Sequence, residues 1–434
     1  MREGHTEVLV VGAGPVGLWL ALSLAESGVQ VSIIDRESRI TARNYACALH
    51  PSTLKLLKRF DLATPAIERG RRVEKVAFYD GQTRHAEIDL SKLSEEFPFL
   101  LILPQSQLES LLEQRLRQAR VAVEWNHRFD GLQEDQQEVC ATLEELEGTS
   151  TGYIVPHWET VVKRRFEIRA QYLVGADGHN SMTRQKLGIE FERTGATESF
   201  AAYEFEADRT VADEIRVVLD ETTTNVLWPL GDNKFRWTFQ LTRADTSGEF
   251  PEKDRRAVRL EQPTIDERIK QCVERVAQKR APWFDAAVKK ITWCTEVSFQ
   301  HRLVSTFGRA RCWLAGDAAH QTGPAGVQSM NAGFREAGRL AEALRQILQD
   351  NGSTNLLTAY NREGQERWRK LLGLTGGLKI GKNASTWIQA RYDRFLPCLP
   401  GLDSDLDLLA SQLNLVYPLQ PPVAPGLLSQ HKAV

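Results

Sequence analysis

The stretch from Glu7 to Asp35 constrains this chain more than any other. Val8–Val11 is an apolar run rich in β-branched residues and too short for a helix, which reads as a buried strand. Gly12, Gly14 and Gly17 follow with GxGxxG spacing. Leu18, Leu22 and Ala25 then share one face of a helical pattern, and Gly28 stands where a helix would stop in a left-handed turn. A second short strand, Val29–Ile34, delivers Asp35, an acid roughly 20 positions beyond the glycines. In such a βαβ unit each part has a physical task. Gly12 permits the tight turn, Gly14 lets a pyrophosphate approach the backbone, and Gly17 lets the helix pack on the strand. The free N–H groups at the helix start attract phosphate, and Asp35 can accept from a ribose. Dinucleotide binding follows from the whole unit rather than from the glycines alone.

A secretory or membrane-spanning segment is the competing reading of Val8–Ala25. Three glycines and Pro15 interrupt the apolar run, acidic Glu3 and Glu7 flank it, and it falls short of the roughly 20 residues a spanning helix needs. The 434 residues allow two or three domains, and 42% apolar with 26% charged residues is an ordinary soluble composition. A net charge of −2 gives no general attraction to nucleic acid or anionic membrane. The six cysteines, Cys47, Cys140, Cys272, Cys294, Cys312 and Cys398, form no CxxC pair. They suit free thiols in a reducing cytoplasm rather than a zinc site or disulfide frame.

Two further constellations repeat the logic of a strand delivering an acid into a turn. Tyr172–Gly175 leads into Ala176-Asp177-Gly178 and then a helix, placing Asp177 where open α/β sheets bind ligands, although an Asp-Gly pair by itself is an ordinary turn. Cys312–Ala315 leads into Gly316-Asp317 and a Gly/Pro loop carrying Pro324. A helix over about Asn331–Leu348 follows, and its N-terminus suits an electron-rich ring. His320 reads as an anchor for this loop. Elsewhere, Arg36 and Arg43 follow the second strand, and Arg43 is either a phosphate or flavin contact or a solvated arginine. Gln105 precedes a helix for which Ser106 and Glu109 make a capping box. Phe235, Trp237, Phe239 and Leu241 alternate with polar residues, the mark of a half-buried antiparallel strand. Tyr203, Trp228 and Trp237 are candidate walls of an organic-substrate pocket, against the alternative of ordinary core packing. Helices are expected over about Asn355–Leu371 and Leu378–Arg394.

With these three sites in view, the chain resembles the group A flavoprotein monooxygenases, the FAD-dependent aromatic hydroxylases of the p-hydroxybenzoate hydroxylase type. The motifs are GAGPVG at Gly12–Gly17, ADGHNSMTR at Ala176–Arg184 and GDAAH at Gly316–His320, in the family's order. The resemblance implies an α/β fold: a Rossmann-like FAD-binding domain, a mixed or antiparallel-sheet substrate domain, and C-terminal helices. It assigns 1–72, 101–190 and 295–350 to FAD, 73–100 and 191–294 to substrate, 351–416 to a helical segment and 417–434 to a tail.

By the same resemblance, Gly12, Gly14, Pro15, Val16 and Gly17 hold the pyrophosphate, and Asp35, with Arg36, the adenosine end. Arg43 and Gln105 match FAD contacts, and Asp177 serves FAD and the nicotinamide donor. Gly316 and Asp317 bind the ribityl chain, Pro324 lies near the flavin ring, and Met330 and Asn331 approach its pyrimidine end. Val327 and Ser329 depart from the family, which has glycines there.

The implied chemistry is reduction of FAD by NADH or NADPH, then hydroxylation by O₂, through a flavin C4a-hydroperoxide, of a phenolic or polycyclic aromatic substrate. No catalytic residue and no metal is assigned. A second GxGxxG unit is lacking, so the donor is expected to have no domain of its own. The chain ends before the thioredoxin-like third domain of larger phenol hydroxylases. A monomer or homodimer in the cytoplasm is expected, without membrane insertion. Epoxidation, Baeyer–Villiger oxidation, a flavin reductase and a non-catalytic FAD-binding protein are the alternatives.

Overall fold

The computed structural model describes residues 4–40, 46–151, 157–211, 213–242 and 263–416. The opening unit folds as strand His5–Val11, helix Pro15–Glu26 and strand Val31–Ile34. The helix ends at left-handed Gly28 (φ 83°). There the Gly28 N–H donates to Ala25 O and the Val29 N–H to Leu24 O, the two bonds of a Schellman stop. The helix is apolar nearly all round, and Leu18, Trp19, Leu20, Ala21, Leu22 and Leu24 are wholly buried. Trp19 stacks on Phe334 of the helix Gln328–Gln349 with centroids 5.5 Å apart. Burial of each such side chain contributes about 1.5–3 kcal/mol.

Strand His5–Val11 lies in the middle of a parallel sheet. Val11 is in register with Ile34 on one side and with Gly175, the end of strand His157–Gly175, on the other. Val123–Glu124 adds an outer strand beside Ile33 and Ile34, and Cys312–Leu314 pairs beyond Gly175. Gly12, Ala176 and Ala315 therefore all leave the same edge of the sheet, at the C-terminal ends of adjacent parallel strands. Open α/β sheets bind ligands at that edge.

A second sheet of eight strands runs His320–Gln321, Val288–Val304, Phe191–Ala207, Lys234–Leu241, Thr224–Gly231, Ile215–Leu219, Lys75–Tyr79 and Arg84–Asp89. Its pairs are antiparallel except Ile215–Leu219 with Lys75–Tyr79. One of its two longest strands, Val288–Val304, runs through residue 295, while the other, Phe191–Ala207, begins at the expected division at 191. Helix Pro263–Arg280 covers one face of the sheet, where Ala201, Phe205, Phe239, Val273 and Val276 form a small core of their own. Residues of the other face, including Val226 and Trp228, join the main core with the parallel sheet.

Two local expectations are corrected. Helix Asn355–Leu371 forms, but Leu378–Arg394 is not a helix. Lys379–Ile380 pairs instead with Leu415–Val416, and short helices cover Thr386–Gln389 and Tyr392–Phe395. Gly381 sits so close to this pairing that a Cβ on it would lie 2.5 Å from Asn414 O. The helix Gln105–Gln118 starts at Gln105 itself, so Ser106 lies inside the first turn rather than at the cap. Glu109 accepts instead from the Gln105 amide at 2.9 Å.

Candidate cofactor and substrate site

The three motifs meet through backbone contacts that only glycine allows. A Cβ on Gly12 (φ 107°) would sit 2.4 Å from Ala176 O, so the first turn rests directly on the Ala176–Asp177 turn. A Cβ on Gly17 would lie 1.9 Å from Gly12 O, which is the close packing of helix on strand. On Gly316 and Gly333 it would meet Val16 at 3.1 and 2.7 Å, pressing the third motif onto the first. The buried Arg184 guanidinium ties the second motif to the third, donating to Ala318 O and His179 O, each at 2.9 Å. Within the first motif Gly14 faces open space, with no atom within 4 Å of a Cβ placed there. That opening lies at the start of helix Pro15–Glu26, whose free N–H groups favour an anion, so the cradle fits a pyrophosphate.

Around this cradle the acids are held by hydrogen bonds. Asp35 accepts from the Ala13 N–H at 2.6 Å and the Glu37 N–H at 2.9 Å, closing the end of the second strand against the glycine turn. Burial pushes its carboxyl above the usual range, and these two N–H groups oppose that shift. Arg36 lies in solvent, 3.7 Å from Glu37, and Arg43 falls outside the described residues. Asp177 accepts from Ser181 Oγ at 2.5 Å and the Thr183 N–H at 3.0 Å. Gln105 accepts from the Ala46 N–H at 3.2 Å. Asp317 is exposed at the mouth and accepts from Ser329 Oγ at 2.5 Å, a bond a glycine at 329 could not make.

The loop before helix Gln328–Gln349 is fastened from both sides. Val327 stands in the left-handed region (φ 51°, ψ 38°), a costly conformation for a β-branched residue. Buried Asn331 holds it there, donating to Val327 O at 2.7 Å and Ala48 O at 3.1 Å, while accepting from the His50 N–H and Thr53 Oγ1. His50 Nε2 donates to Gly326 O at 2.8 Å, and burial pushes its imidazole down to about 4, so the ring is neutral. The Gln328 amide donates to Leu396 O and Leu399 O, each at 3.1 Å. Met330 packs half-buried against the main core. His320 is sealed in: its Nε2 lies 2.6 Å from Glu336 Oε2, its ring stacks on Trp368 at 3.7 Å, and the Trp368 indole donates to Glu336. It anchors the loop.

A cleft of about 230 Å³ opens beside Pro324. Glu198, Phe200 and Gln240 line it from the second sheet, Thr224 from the neighbouring strand, and Arg394 and Pro397 from the C-terminal segment. Strand parity decides which residues these are. Phe200 pairs with Gln240, whereas Tyr203 pairs with Trp237 one face over. Tyr203 and Trp237 are therefore buried under helix Pro263–Arg280, in the smaller core, and do not line this cleft. Trp228 lies on the opposite face but is packed into the main core, not the cleft. A larger recess, about 580 Å³, at Gly4, His5, Phe166, Glu167 and Arg169 lies at the wrong end of the first strand for a cofactor-linked site.

A family model described as an FAD binding domain matches residues 5–375. The chain belongs to this family. The three-motif resemblance to FAD-dependent aromatic hydroxylases is thereby a family membership, with FAD as the family's cofactor. The chain is 29% identical over 360 residues to 6-methylpretetramide 4-monooxygenase of Streptomyces rimosus, covering 82% of this chain and 58% of the relative. It is 28% identical over 373 residues to para-nitrophenol 4-monooxygenase of Pseudomonas sp. strain WBC-3, covering 82% and 81%. Among solved structures, p-nitrophenol 4-monooxygenase PnpA of Pseudomonas putida DLL-E4 shares the fold, with a TM-score of 0.69 at 23% identity over 95% of this chain and 99% of that one. No helix among the described residues is long and apolar enough to cross a membrane.

Proposed function

We propose that the chain is a monooxygenase that uses FAD, NAD(P)H and O₂ to hydroxylate a small, single-ring aromatic substrate. The observation that carries this reading is the cleft beside Pro324, next to the loop that His50, Gln328 and Asn331 hold in place. When bound, FAD supplies the redox chemistry, taking two electrons from the nicotinamide and delivering one atom of O₂ to the ring. The chain supplies position and shelter. The glycine turn and the following helix N-terminus hold phosphate, Asp35 the ribose end, and Asp317 with Ser329 the polar chain between. Phe200, Pro324 and Pro397 give the cleft apolar surface that keeps water from the reacting atoms. Its volume, about 230 Å³, is below the roughly 300–1,000 Å³ of drug-sized sites, which favours one ring over a polycycle.

The test is a panel of phenols and polycyclic aromatics given to the FAD-loaded chain with NADH or NADPH under ¹⁸O₂. Stimulated nicotinamide oxidation with one labelled oxygen in a single-ring product is expected. Oxidation that yields only hydrogen peroxide with every aromatic would sink the reading.

A further inference from the structure

Resting on that reading, we propose that His301, held by Glu198, takes the proton of the substrate's hydroxyl group, so that the substrate is a phenol bound as its phenolate. The hydrogen bonds around the pair fix which nitrogen is free. The Thr224 N–H donates to Gln240 Oε1 at 2.7 Å, which leaves the Gln240 amide N–H₂ turned to Glu198. Glu198 accepts that N–H through Oε1 at 2.9 Å. Its other oxygen, Oε2, lies 2.9 Å from His301 Nε2. A carboxylate can only accept there, so Nε2 carries the hydrogen and Nδ1 keeps its lone pair. Nδ1 is 3.5 Å from Thr322 Oγ1, on the residue preceding Gly323 and Pro324 of the cleft. The pair lies against that loop: a Cβ on Gly323 would be 3.3 Å from Glu198 Oε2 and 3.9 Å from His301 Cε1.

The step balances without any redox partner. The phenol O–H bond breaks, its electron pair stays on oxygen, and the proton reaches Nδ1 through the Thr322 hydroxyl. The imidazolium that forms is stabilised by the Glu198 carboxylate. The gain is an electron-rich ring beside the cofactor. Among the described residues, the charged or titratable groups beside the pair include Asp393, Arg394 and Cys398 of the C-terminal segment. Asp393 is exposed at the rim. Arg394 is turned to Asp220 O at 2.6 Å and to Thr223 O. Burial pushes the Cys398 thiol up to about 12, which removes it as an acceptor.

The probe is 4-nitrophenol, whose phenol and phenolate forms absorb at different wavelengths. It is bound to the FAD-loaded chain one pH unit below its own pKa, where about a tenth of the free ligand is ionised. More than half of the bound ligand is expected as phenolate in the wild type, falling toward a tenth in Glu198→Gln and His301→Gln. Glu198→Gln keeps the shape of the pair and decides the matter if His301→Gln fails to load FAD. An equal phenolate fraction in wild type and variants, with the ligand bound, overturns the proton acceptor and leaves the hydroxylase reading standing. If neither 4-nitrophenol nor any other phenol perturbs the wild-type flavin spectrum, both readings fall.

Discussion

Around the glycine turn, contact is made by backbone atoms at separations that exclude any side chain. A Cβ on Gly17 would sit 1.9 Å from Gly12 O, and on Gly12 it would sit 2.4 Å from Ala176 O. In the cleft the nearest neighbour of a Cβ on Gly323 is the flexible end of Glu198, at 3.3 Å. At Gly12 and Gly17 the proposed cofactor side is thus set by main chain and tolerates no added atom, while the proposed substrate side is built from side chains whose ends can shift. Positions of the first kind are set by the fold. Those of the second kind can be exchanged for a new substrate at little cost to folding.

This contrast predicts its largest effect at Gly17. Gly17→Ala places a methyl inside the van der Waals radius of a carbonyl oxygen that cannot retreat, and little folded, FAD-loaded protein is expected. Gly14→Ala is the control within the same motif. Gly14 has extended backbone (φ −70°) and open space beside it, so the variant should melt within about 0.5 kcal/mol of wild type yet bind FAD at least tenfold more weakly. Thermal melts and flavin-fluorescence titration separate the two quantities. Normal FAD affinity in Gly14→Ala would show that the opening does not receive phosphate.

The second prediction concerns the faces of the antiparallel sheet. Trp237 is fully buried, stacked on Phe239 at 5.0 Å and edge-on to Phe284 at 5.6 Å. Trp237→Ala should cost about 3–5 kcal/mol of stability. The affinity of the FAD-loaded fraction for an aromatic ligand should change less than twofold. A large loss of ligand affinity with little loss of stability would return Trp237 to the cleft.

These contrasts also explain what could be read from the residues in order. A glycine that must touch backbone announces itself by spacing, so the close packing at Gly12 and Gly17 was legible, as was the strand alternation at Phe235–Leu241. Alternation, however, marks two faces without saying which meets the ligand. That depends on helix Pro263–Arg280, which covers the face carrying Tyr203 and Trp237. Glu198 and His301 stand 103 positions apart, and His50 and Gly326 stand 276 apart. Neither pair leaves a local signal. Over Leu378–Arg394 the apolar pattern suggested a helix, but Gly381 and the pairing with Leu415–Val416 overrode it.

The smallest expected effect is a pH dependence confined to the cofactor side. His50 is wholly buried and neutral, with its imidazole pushed from 6.5 down to about 4 by burial. In that interval the unfolded chain binds a proton there that the folded chain refuses. The stability associated with a neutral His50 is therefore full above about pH 6.5 and lost as pH falls toward 4, by up to about 3 kcal/mol. Glu109 works in the opposite sense. Burial pushes its carboxyl from 4.5 up to about 7, so the folded chain keeps a proton that the unfolded chain has released, and stability declines as pH rises through that range. The two effects overlap, and the wild-type profile should be flatter than either alone. Subtracting the melting profile of His50→Asn from that of wild type isolates the histidine. Their difference should grow as pH rises from 4 to 6.5 and then stay level, and FAD release on acidification should track it. A difference that does not vary with pH would mean that His50 takes up its proton alike in the folded and unfolded chain, and that burial does not hold the ring neutral.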